Sequence, residues 1–69
     1  MTLAAFVKSQ RKIHKLSQPQ LAHRAKVGLR FIRDLEQGKK SLRMDKVNLV
    51  ISYFGYEIGF NPISQKEDG

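Results

Sequence analysis

The sequence has no cysteine, so neither a disulfide nor a thiolate-held zinc can brace it. It has no apolar run near the ~20 residues that cross a bilayer. The opening MTLAAFVKSQ lacks a basic stretch followed by a long apolar one, the pattern of a secretory leader. A cytoplasmic location is therefore expected. Acidic residues are nearly missing from the first two thirds. Positions 1–43 carry eleven Lys and Arg against Asp34 and Glu36, a net of +9, while 44–69 carry a net of −2. What remains is 69 residues with 41% apolar content, four Phe and two Tyr, enough for one small core. A chain this short buries only about 60% of its unfolded surface. Its core alone rarely supplies more than about 3–5 kcal/mol, so helix packing and self-association are the supports left to it.

The split in charge suggests one surface that meets a polyanion and a second region with another task. Charge alone also suits solubility, a membrane surface or an acidic partner.

Punctuation at Ser17-Gln18-Pro19, Gly28, Gly38, Gly55 and Asn61-Pro62 divides the chain into short segments. The first, Leu3 to His14, has Thr2 placed as a cap and a stripe of Leu3, Phe6, Val7, Gln10, Ile13 and Leu16. The second opens on a capping box, Ser17 with Gln20, and tolerates Pro19 in its first turn. It turns Leu21, Ala22 and Ala25 inward and ends by Lys26. The third, Leu29 to Gln37, starts after Gly28 and stops at Gly38. Ile32 and Leu35 point inward with Val27 ahead of them, and Arg30 and Asp34 stand at a pairing distance of four residues. The fourth, Met44 to Phe54, is expected to bury Met44, Val47, Val50, Ile51 and Phe54. After Gly55 the period changes to alternation: Tyr56, Ile58 and Phe60 read as one side of a strand. A single strand leaves its backbone groups unpaired, so pairing with the same strand of a second copy is favoured over an extended tail lying on its own core. The expected architecture is all-α, four helices and one C-terminal strand over residues 1–60, with a frayed tail at 61–69.

The stretch LSQPQLAHRAKVGLRFIRDLEQGKK resembles the phage-repressor and Cro-like (Xre) helix-turn-helix family. The resemblance rests on Leu16, Ser17, Gln18, Leu21, Ala22, Ala25, Val27, Ile32, Leu35, Glu36, Gly38 and Lys39, with Phe6-Val7 and Arg11-Lys12 upstream, and covers about residues 3–55. Lys15 and Lys26 stand where the family favours glycine, in places that suit a left-handed backbone. The resemblance implies a structural ion pair between Arg11 and Glu36. It also makes Leu29, Arg30 and Asp34 the usual base readers, with Arg33 on the flank.

The chemistry of these side chains agrees with that use. Arg30 and Arg33 each offer a fork to guanine O6 and N7, Leu29 an apolar contact to a thymine methyl. Asp34 either accepts from cytosine N4 or orients Arg30, and Phe31 either packs at the helix edge or approaches a thymine. Phosphate contacts are expected from Gln18 at a helix start and from Lys26, Lys39, Lys40, Ser41 and Arg43 around the third helix. His14 and His23 have no carboxylate or cysteine at metal-ligand spacing, and no nucleophile–base set is visible, so neither a metal, a cofactor nor an enzyme is expected.

The ending VNLVISYFGYEIGF resembles the short HipB-like antitoxin regulators. That resemblance implies a homodimer joined through Tyr56, Ile58 and Phe60, a pseudopalindromic operator in double-stranded DNA, and a HipA-like kinase toxin as partner. Two other classes stay open: an adaptor that uses the fold to bind protein, and an RNA binder. The arginines of the third helix argue against the first, and the aromatics, which fall mainly at expected core or strand positions, argue against the second.

Overall fold

The computed structural model describes residues 1–57. Four helices follow one another: α1 (Leu3–Ile13), α2 (Gln18–Ala25), α3 (Leu29–Glu36) and α4 (Met44–Tyr53). Each lies within a residue or two of its expected bounds. Among the described residues there is no strand: Tyr56 and Glu57 belong to neither a helix nor a strand, and Ile58 and Phe60 lie outside the described residues, as does the tail at 61–69. None of the described helices is long and apolar enough to cross a membrane.

The helix starts follow the local sequence. Thr2 Oγ1 accepts from the Ala5 amide at 3.1 Å. Ser17 and Gln20 close the capping box in both directions, at 2.8 and 3.2 Å, with Pro19 in the first turn where its missing N–H costs nothing.

The helix ends share one device. The amides of Leu16, Val27, Lys39 and Tyr56 reach back to the carbonyls of Arg11, Ala22, Asp34 and Ile51, all at 3.0–3.1 Å. Such a bond needs a left-handed residue just before the donor. Those residues are Lys15 (φ 56°), Lys26 (φ 63°), Gly38 (φ 80°) and Gly55 (φ 85°). Two of the four corners thus place a lysine in a conformation that an L-residue enters at a cost of about 1–2 kcal/mol.

The core is Val7, Leu16, Leu21, Ala22, Ala25, Ile32, Leu35, Val47, Val50, Ile51 and Phe54, with Leu3, Phe6, Val27, Leu29, Phe31 and Leu42 packed partly against it. α2 and α3 pack on each other, α1 lies against α3, and α4 lies against α2. Two residues expected inside are outside. Ile13 is 65% exposed: at ~100° per residue it stands roughly 120° around α1 from Val7, and Leu16 beyond the turn takes the interior place. Met44 is 47% exposed because it opens α4, a turn ahead of Val47, at the end of the element. Phe31 packs at the helix edge, half-buried.

Candidate nucleic-acid interface

α2 and α3 are joined by Lys26–Gly28, and Leu35 and Ile32 hold α3 into the core by one side. The other side is turned out. Arg30 and Arg33 are exposed, three residues apart, and no ion pair or side-chain hydrogen bond among the described residues engages either guanidinium. Leu29, at the first position of α3, is half-buried and leans on the core. Asp34 does not meet Arg30. It pairs with Lys39 Nζ at 3.5 Å instead.

Behind this face sits a polar node. Arg11 donates to both carboxylate oxygens of Glu36, from Nε at 2.7 Å and from an Nη at 3.0 Å, and its other Nη donates to the Leu16 carbonyl at 3.0 Å. Gln18 Nε2 adds a third donor to Glu36 at 3.1 Å. One carboxylate thereby ties α1, the corner after it, the start of α2 and the end of α3. The Glu36 side chain is 2% exposed. Burial pushes its carboxyl up, but the hydrogen bonds from Arg11 and Gln18 and the charges of Arg11 and Lys8 outweigh that and hold it below the usual glutamate range. The hydrogen bond to Glu36 raises the Arg11 guanidinium further against the opposing effect of burial.

The residues expected at phosphates fall into two groups. Lys26, Lys40 and Ser41 are exposed and carry no side-chain partner among the described residues. Gln18, Lys39 and Arg43 are already engaged. Gln18 serves Glu36, Lys39 serves Asp34, and Arg43 makes a fork to Asp45 at 2.8 and 3.2 Å that holds the Asp45 carboxyl below its usual range. At the start of α2 the Gln20 amide is taken by Ser17 and Pro19 has none, which leaves the Gln18 amide at a helix end where an anion is favoured. The Lys39–Asp34 pair had a readable signal. Gly38 as a left-handed stop puts the residue after it beside the residue four positions before it, and those residues are Lys39 and Asp34.

Two short helices at a tight corner, the second presenting exposed arginines, form a unit with the dimensions of a helix-turn-helix. A helix-turn-helix-type transcriptional regulator from Sinorhizobium fredii, y4mF, itself uncharacterized, is 45% identical to this chain over 56 residues, 81% of this chain and 74% of the relative. The chain belongs to the HTH-type transcriptional regulators. No family model matches it. As an HTH regulator it is a DNA-binding protein.

Proposed function

We propose that this HTH regulator is a homodimeric, sequence-specific repressor that acts in the cytoplasm as the antitoxin and autorepressor of a HipBA-like toxin–antitoxin operon. It is no enzyme and needs no cofactor. One observation carries the DNA reading: Arg30 and Arg33 stand exposed on α3 without a partner among the described residues. A guanidinium that no protein acceptor occupies keeps its fork for guanine O6 and N7. Leu29 closes the contact on the apolar side. Lys26, Lys40, Ser41 and the Gln18 amide at the start of α2 clamp the phosphates on either side and set register. Two copies joined through their C-terminal strands present two recognition helices about 34 Å apart, one turn of DNA. The HipB-like ending supports the antitoxin role, with a HipA-like kinase as the toxin it holds.

The test is fluorescence anisotropy with the DNA upstream of the gene against a scrambled duplex, across a salt series near 0.15 M. Specific binding is expected to exceed nonspecific binding by about 10³-fold or more, and a co-purified HipA-like kinase to sharpen it. Equal binding that weakens steeply with salt on both duplexes overturns the repressor reading and favours a protein-binding adaptor.

A further inference from the structure

α3 carries one acid on its outward side, Asp34, in a row of arginines. An aspartate four residues after an arginine lies within pairing reach of it. Arg30 and Asp34 have that spacing, yet the carboxylate turns to Lys39 at 3.5 Å. The main chain of Lys39 is held at this position. Its own amide donates to the Asp34 carbonyl at 3.0 Å, across the left-handed Gly38 at φ 80°. In helix ends of this form the two residues so joined usually touch through apolar side chains. α4 closes with the same backbone bond, Tyr56 to Ile51, between two residues with apolar side chains. In α3 an ion pair stands in the same place.

From this we infer that Lys39 is a positioning residue for base reading: by engaging Asp34 it keeps that carboxylate off Arg30 and leaves the Arg30 fork open to guanine. The inference rests on the reading of α3 as the DNA-reading helix. It differs from a phosphate clamp in a measurable way. A clamp adds affinity on any duplex, whereas a residue that frees Arg30 adds affinity only where a guanine is read. It also gives Asp34 a role other than accepting from cytosine.

The experiment uses the full chain and a duplex enriched from a random-sequence pool by the wild-type protein, measured beside its scrambled counterpart. Lys39→Ala is expected to lower the ratio of specific to nonspecific affinity by about threefold or more, the scale of one partly exposed ion pair. Lys40→Ala, which removes a charge from the same loop, weakens both duplexes alike and leaves the ratio in place. Adding Asp34→Ala to Lys39→Ala restores the ratio, because the competing carboxylate is gone. An unchanged ratio in Lys39→Ala, or no restoration in the double variant, overturns the inference while leaving the DNA-binding reading intact. A wild-type protein that enriches no sequence overturns both.

Discussion

Arg11 and Glu36 decide more of this molecule than any other pair. The carboxylate is almost wholly buried and takes three donors from two side chains, so removing Arg11 strands a charge in the interior. Loss of one partner of such a pair costs about 3–5 kcal/mol. That equals most of what a core of this size supplies, and Arg11→Ala is expected to be largely unfolded by circular dichroism at 25 °C. The pair also sets an acid limit. The Glu36 carboxyl is held below its ordinary value, about 4.3 for glutamate, so its contribution is fully present above that pH and is lost as pH falls through the folded value. Thermal melts should hold steady from pH 7 to about 5 and then decline, and Glu36→Gln should start lower and decline less. A parallel decline in both proteins would place the acid sensitivity elsewhere. On the outward side, Arg30→Ala is expected to cost about 1–3 kcal/mol on the operator and to relax preference at one base pair. An equal loss on scrambled DNA assigns Arg30 to phosphate.

The elements were legible where the sequence states its own rule. Ser17 with Gln20 fixed the start of α2, and Gly38 and Gly55 marked the corners after α3 and α4. What escaped depends on distant neighbours. Ile13 lies at the edge of the apolar stripe, roughly 120° around α1 from Val7, and whether a neighbour covers that edge depends on residues outside α1. The third donor to Glu36 comes from Gln18, eighteen residues away, a pairing that no local pattern contains. Asp34 had two partners in reach along the chain, and the corner at Gly38 selected Lys39. The corners at Lys15 and Lys26 carry a cost of their own. Glycine at Lys15 relieves the left-handed strain, partly offset by a looser unfolded chain, for a net gain of about 0.5–1 kcal/mol. Lys15→Gly should therefore raise Tm by about 2–8 °C. Lys26→Gly should gain similarly in Tm yet lose affinity for DNA on both duplexes, if that side chain meets the phosphates as proposed.

At the scale of the whole molecule, the proposed dimer makes its own demand. A monomer has one reading helix, and affinity for a pseudopalindrome requires two held at a fixed spacing. Ile58→Asp places a charge in the proposed joining strand and is expected to give a monomer by light scattering, with the helical spectrum kept and operator affinity reduced toward the nonspecific level. A dimeric Ile58→Asp protein sinks the strand-pairing idea. The helix α3 itself hangs between two left-handed corners, Lys26 and Gly38, each closed by a backbone bond. Its tilt is thus settled before any duplex arrives. The entropy surrendered on docking falls on the long side chains of Arg30, Arg33 and the loop lysines, and the main chain that carries them is already preorganised.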